Sequence, residues 1–447
     1  MGSINFNKVK DMFANKDNLT LWMNNLLVIY AFMLPISQTI KASVFTFIII
    51  IFLLRGDVLS SIKETLNNKV VQAFIYFFLI YLLGLLWSED LKEGIYALKS
   101  VKYGLYLIVF YAVVDGRYIN RVVTAFLLGM LVSELTSYGM LLGVMPSRLE
   151  LGDILFYVAP SLSDPSPFLN HIHYGVALAL GVILIGHKVY YSKNPLVIKL
   201  FMSLFILSAT ANIFVTGGRT GYITFILLIL TLAIFYLKRY AIAALLFLAL
   251  VLGVAYNSSE VFKSKVIQTQ ESVQKLFSKD ADFSTSLGVR AGMYYFGYQV
   301  VKENPLLGAG TGDSIKAIQD IAPHKYERLR EHMSHEHNQF LSTFVKLGVI
   351  GLLIFLNIFY QIFRFKQEDK ELRFIMIFST LAIAFGVLTT QFNLRFFMPL
   401  WVVMLAVSMI SKERRTIAFE LDDKKVFVQI LAIGAVFSFF RLFNQLL

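Results

Sequence analysis

Long apolar runs alternate with short polar joints along nearly the whole chain. Runs such as "SVFTFIIIIFLL" and "GYITFILLILTLAIFYL" approach the ~20 residues a helix needs to cross ~30 Å of hydrocarbon. Apolar segments fall at 20–36, 42–54, 70–87, 103–115, 120–145, 171–190, 196–216, 220–237, 240–256, 338–363, 372–391 and 395–411, with a further stretch at 426–443. The pattern predicts an all-α polytopic membrane protein with about 12 transmembrane helices, or a thirteenth if 426–443 also spans. Residues 1–19 are polar and lack the layout of a signal peptide. The long polar stretch between spans 9 and 10 should itself be helical. Both "SVQKLF" and "GVRAGMYYFGYQVVKEN" carry apolar residues at helical spacing, and Asn304-Pro305 with glycines 308, 310 and 312 then close the second helix. The expected organisation is transmembrane helices 1–9 over 1–256, an extracytoplasmic helical subdomain over 257–337, and helices 10–12 with the apolar tail over 338–447.

Composition agrees and adds orientation. The 447-residue chain is 57% hydrophobic and 16% charged, against about a quarter charged in a soluble chain. Its net charge of +12 could suggest nucleic acid, but the basic residues sort by loop. With Lys8, Lys10 and Lys16 in the cytoplasm, the alternate short loops carry Arg55, Lys63 and Lys69; Arg117 and Arg121; Lys188, Lys193 and Lys199; Lys238 and Arg239; Arg364, Lys366, Lys370 and Arg373; and Lys412, Arg414 and Arg415. The opposite loops hold mainly Lys41, Lys92, Arg148, Arg219 and Arg395. This is a positive-inside pattern, and no nucleic-acid partner is expected. With no cysteine, disulfides and thiolate metal sites are excluded.

The threading puts "WSEDLKEG" (87–94), the loop from Pro146 to about Asn170, and the stretch from Asn257 to about Glu336 outside. Candidate chemistry gathers on that side. "HEHNQF" opens the apolar run at 338. On a helix His335 and His337 would diverge by about 200°; on an extended lead-in they would share a face. Metal binding, acid–base work and simple wetting of a helix end all remain open for them, and Asn338 could orient the ring or a substrate. In "TGGRTGYITF" (216–225), Arg219 begins a helix. It is either a snorkelling anchor or a phosphate clamp, aided by the exposed N–H groups of the helix start. Arg290 has no local acid partner; Asp282 and Glu303 are the nearest. "GAGTGD" (308–313) lacks the Lys-Ser/Thr of a nucleotide loop and reads as a turn. Glu134 is the one buried acid expected inside a span. His171 and His173 in "PFLNHIHYG", at another outer helix end, read chiefly as loop wetting, with help in binding acceptor or lipid as the alternative.

Taken in order, "WSEDLKEGIYALKSVKYGLY", "TGGRTG", "RAGMYYFGYQVVKENPLLGAGTGD" and "HEHNQFLSTFVKLGVIGLL" resemble the O-antigen ligase and polymerase superfamily of bacterial envelope glycosyltransferases, over roughly 87–391. His335, a second histidine, and the apolar tail depart from the family pattern. The resemblance implies a polyprenyl (undecaprenyl) diphosphate-linked glycan donor and, for a ligase, a lipid A–core acceptor, joined at the periplasmic face of the inner membrane in lipopolysaccharide biosynthesis. It implies His337 as general base, Arg219 and Arg290 on the diphosphate, Asn338 and His335 in support, inversion at the anomeric carbon, and neither metal nor cofactor. The subdomain at 257–337 would then be periplasmic. A polymerase that extends lipid-linked glycans, a protein O-oligosaccharyltransferase and a lipid-linked sugar transporter are the rivals. A transporter should show charges deep inside spans, broken helices or repeats, whereas the sequence shows no inverted repeat and its polar residues concentrate at one surface.

Overall fold

The computed structural model of the chain describes residues 15–151, 154–159, 164–191, 193–278, 283–331, 333–392 and 396–410. The apolar tail at 426–443 and Arg395 lie outside the described residues. The helices in chain order are α1 (Lys16–Met33), α2 (Gln38–Leu54), α3 (Val58–Leu66), α4 (Lys69–Leu83), α5 (Leu91–Val101), α6 (Tyr106–Val113) and α7 (Ile119–Leu141). A hairpin of β1 (Arg148–Leu151) and β2 (Ile154–Val158) follows, antiparallel, where sequence predicted only a loop. Next come α8 (His171–Tyr191), α9 (Leu196–Val215), α10 (Arg219–Leu232), α11 (Ala241–Ser258), α12 (Glu260–Leu276), α13 (Ser286–Glu303), α14 (Ser314–Ile321), α15 (Glu327–Glu331), α16 (Gln339–Arg364), α17 (Lys370–Val387) and α18 (Phe397–Ser408).

Each of the twelve predicted runs contains a helix among the described residues, but by length and composition only six helical segments there can cross a membrane, or seven if α2 and α3, bent by 111°, form one span. The shortfall has local causes. α1 carries Asn18, Asn24 and Asn25; α17 carries Lys370, Glu371 and Arg373; α6 and α18 are only 8 and 12 residues long. One segment, Arg219–Ser258, is 40 residues long. A straight helix of that length would reach about 60 Å. Yet Ser259 Oγ donates to the Phe214 carbonyl at 2.8 Å, and the Phe262 ring lies 4.9 Å from that of Tyr222. The chain therefore doubles back, at Lys238, whose φ is +41°.

The main core is built around α8 and α18, each buried along most of its length. α8 and α10 cross at glycine: a Cβ added to Gly175 would stand 2.7 Å from Gly221 Cα. Small residues permit that approach, as is usual where helices pack in lipid, and it brings the start of α10 beside the start of α8. A second, smaller core lies under α13–α15, where Val289, Met293, Phe296, Ile318 and Leu329 meet Leu341 and Val345 of α16.

α16 is interrupted at Gly348, with φ +61° and ψ −158°. The "GAGTGD" segment fills the break as a strap. Ala309 and Gly310 N–H groups donate to the Val345 and Lys346 carbonyls, each at 2.9 Å, and Val349 N–H donates to the Pro305 carbonyl at 2.9 Å. The strap thus takes up backbone groups that an unwound turn inside a membrane helix would otherwise leave unpaired.

Candidate functional site

Arg219 is the first residue of α10, after Gly218, where any Cβ would meet the His171 carbonyl at 2.6 Å. Its Nη2 donates to Gln268 Oε1 of α12 at 3.1 Å, and the guanidinium faces a cavity of about 200 Å³ that Glu271, Lys275 and Ser286 also line. Arg290 sits in the first turns of α13, and its Nε is buried with no protein partner. One turn on, the Tyr294 hydroxyl accepts from Asn338 Nδ2.

Asn338 ties three elements together. Its Oδ1 caps α16 by accepting from Leu341 N–H at 3.0 Å, while Nδ2 also donates to the Leu388 carbonyl at 2.9 Å. The neighbouring Thr389 hydroxyl pairs with that of Thr220, next to Arg219. Asn338 thereby links the middle of α13 and the start of α16 to the segment packed on the start of α10.

His337 precedes that cap with φ +54°, a left-handed conformation that few non-glycine residues adopt. Such outliers concentrate at functional sites, where surrounding structure holds them. Its ring stands 4.0 Å from that of His335, tilted by 51°, and its Nδ1 is buried without a protein partner. The lead-in is not helical, so the two histidines do share a face. Among the described residues no group of three or more His, Asp or Glu side chains gathers as a metal cluster.

Basic groups dominate the electrostatics around His337. Burial pushes the His337 pKa down, and His335 and Arg290 push it further, to about 4, against the opposing pull of Glu336. His335 is lowered first by burial, with Lys346 and Arg290 adding to the shift against Glu336. Arg290 is lowered by burial and then by Arg219. All five residues singled out from sequence (Arg219, Arg290, His335, His337 and Asn338) therefore converge, with two buried nitrogens turned to no protein partner. A buried donor without an acceptor is costly, and an anion beside it would satisfy the donor and the crowded cations together.

Other expectations fare differently. His171 Nδ1 pairs with Asp164 Oδ2 at 2.7 Å behind Gly218. His173 is not a wetted loop residue: it is 2% exposed and packs edge-on against Phe397. Glu134 is 1% exposed, one turn from the Ser137–Asn212 hydrogen bond.

Sequence reasoning missed what lies behind the histidines. Glu336 is buried, and its Oε1 accepts from Lys346 Nζ at 2.6 Å and from Ser314 Oγ. Burial alone would raise its pKa, but Lys346 and these hydrogen bonds outweigh it and hold the carboxyl below its ordinary range. Lys346 Nζ also donates to Ser342 Oγ at 2.8 Å, and Gln339 Nε2 donates to the Tyr81 and Thr343 hydroxyls at 3.0 Å. The available signal was an ionisable residue inside an apolar run with an acid ten positions before it.

Comparison with known proteins bears on this same segment. Residues 201–356 match the family model described as O-antigen ligase. That match takes in Arg219, Arg290 and the whole of 335–338. A protein of Rickettsia conorii, provisionally named a polysaccharide ligase, is 26% identical over 246 residues. The similarity covers 46% of this chain and 59% of that relative's length. The O-antigen ligase match and the apolar helices together mark this as a bacterial membrane protein.

Proposed function

We propose that the chain is an O-antigen ligase, which moves a glycan from a polyprenyl diphosphate carrier to a sugar hydroxyl of lipid A–core. The site faces the periplasm, at the outer boundary of the inner membrane. The observation that carries this reading is the convergence of Arg219, Arg290 and His337, with buried nitrogens free of protein partners, within the O-antigen ligase match.

Cleavage of the anomeric C–O bond leaves a lipid diphosphate, and two guanidinium groups stabilise its growing charge. Arginine suits this task because its planar donors grip phosphate oxygens in pairs. His337 removes the proton of the attacking hydroxyl. With its pKa near 4 it is neutral at neutral pH, so one of its ring nitrogens carries a lone pair for the proton. A bound diphosphate would raise that pKa and with it the basicity, so donor binding tunes the base for the acceptor. Direct displacement inverts the anomeric configuration. Asn338 positions the base through the helix cap, and His335 buttresses its ring.

The broken α16 and the buried Lys346 are features expected of a transporter. The break, however, is filled by the strap from 305–310 rather than lining a path, and Lys346 is neutralised by Glu336. The test is reconstitution with carrier-linked glycan and lipid A–core under chelation of metals. Glycan on lipid A–core supports a ligase. Lengthened carrier-linked glycan, with lipid A–core untouched, would make the protein a polymerase and overturn the acceptor.

A further inference from the structure

The lead-in to α16 presents side chains to two places, and only one is the basic site. The His335 and His337 rings lie against each other, whereas Glu336 lines a separate cavity of about 320 Å³ bordered by α5, α14 and α16. That volume falls in the ~300–1,000 Å³ range of small-molecule sites and suits a mono- or disaccharide. We propose that this cavity is a saccharide subsite for the acceptor: it holds a sugar next to the one whose hydroxyl reacts at His337, on the Glu336 side of the lead-in. This rests on the glycosyl-transfer reading above and adds to it where the acceptor's sugar lies.

The lining carries the assignment. The floor is the Glu336–Lys346 pair with Gln339, and Glu336 Oε2, fully buried, has no protein partner. The walls present Ser100, Gln319 and Gln391. The half-exposed Tyr96 ring lines it too, as do Glu93 and Lys316. Amides, hydroxyls and a fixed carboxylate match a ligand rich in hydroxyl groups, each both donor and acceptor. An aromatic ring offers its face to the apolar side of a sugar. Acids and lysines are mixed here, so the cavity has no bias towards a diphosphate. The opposite face has that bias. The two faces thus divide the substrates by charge: the anionic donor end lies against Arg219 and Arg290, and the neutral sugar lies against Glu336 and the amides.

The experiment uses the full chain in detergent and, as probe, core oligosaccharide freed of its lipid by mild acid. Binding is read by equilibrium dialysis without donor, and transfer is read separately with lipid A–core. Ser100→Phe fills the cavity, and Tyr96→Ala removes an exposed ring whose loss the fold tolerates should Ser100→Phe misfold. We expect the wild type to bind the oligosaccharide, Ser100→Phe to lose it, and Tyr96→Ala to bind about tenfold more weakly. In transfer, Tyr96→Ala should raise KM for the acceptor by the same factor with kcat and donor KM unchanged. Absence of wild-type binding, or folded variants that bind like wild type, overturns the subsite. A rise in donor KM alone overturns its assignment to the acceptor and gives the cavity to the donor glycan. Binding by a wild type that transfers nothing leaves the cavity standing and overturns the transferase reading instead.

Discussion

The buried pair behind the histidines gives the most quantitative prediction. Lys346 Nζ is 2.6 Å from Glu336 Oε1, with side chains 9% and 0% exposed. At an effective dielectric of ~20 the attraction is about 6 kcal/mol, most of it offset by stripping water from both charges. Replacing the lysine alone keeps the carboxylate's desolvation and removes the attraction. Lys346→Met should therefore cost about 3–5 kcal/mol, towards the lower end because Ser314 still donates to Glu336. Glu336→Gln strands the lysine and should cost a similar amount. The double variant Lys346→Met/Glu336→Gln removes both charges and should recover most of the loss. The assay is the thermal unfolding midpoint in one detergent for all four proteins, with glycan transfer measured alongside. Transfer should fall in both single variants, because the pair anchors the segment that sets His337. Single variants as stable as wild type, or a double variant no better than the singles, would refute the reasoning.

Three further outcomes follow from the site. Arg290→Met removes a charge that holds the His337 pKa down; because the neutral ring is the base, the acid limb of kcat/KM, near about 4 in the free wild type, should move to higher pH, and an unmoved limb would contradict the coupling. Asn338→Ala loses the cap of α16, worth about 0.5–2 kcal/mol, together with the ties to Tyr294 and Leu388; the unfolding midpoint and kcat should both drop. Gly348→Ala puts a Cβ 2.4 Å from the Leu306 carbonyl oxygen at a φ of +61°, so about 1–3 kcal/mol of stability should be lost; a variant as stable as wild type would show that the strap is not seated in the break.

Much of the architecture was legible because hydrophobic periodicity is local information. Each of the twelve apolar runs holds a helix among the described residues, and the start of α10 at Arg219 and the opening of α16 after Asn338 fell where their sequences suggested. Span counting was less secure, since length and polarity decide crossing: the asparagines of α1 and the shortness of α6 and α18 are visible in sequence but weigh little against an apolar average. The candidate residues stood out as polar groups on one predicted side, but their roles came from the resemblance to the O-antigen ligase and polymerase superfamily; Arg290 flanks no apolar run. Their convergence depends on contacts between distant segments, such as Gly175 on Gly221 and Asn338 on Leu388, which periodicity does not encode. The strap at 305–310 looked like a turn because its role lies in backbone pairing with Val345 and Lys346, and backbone pairing leaves only glycines as a trace. Lys346 passed unnoticed because one lysine barely lowers the apolarity of a long run.

The most direct test of the central claim is glycan transfer to lipid A–core by purified His337→Gln beside wild type, with metals chelated and folding verified by unfolding midpoint. The account predicts robust transfer by the wild type and a loss of about a hundredfold or more in kcat for the variant, with donor binding retained through Arg219 and Arg290. A folded His337→Gln protein that transfers glycan at the wild-type rate would contradict it.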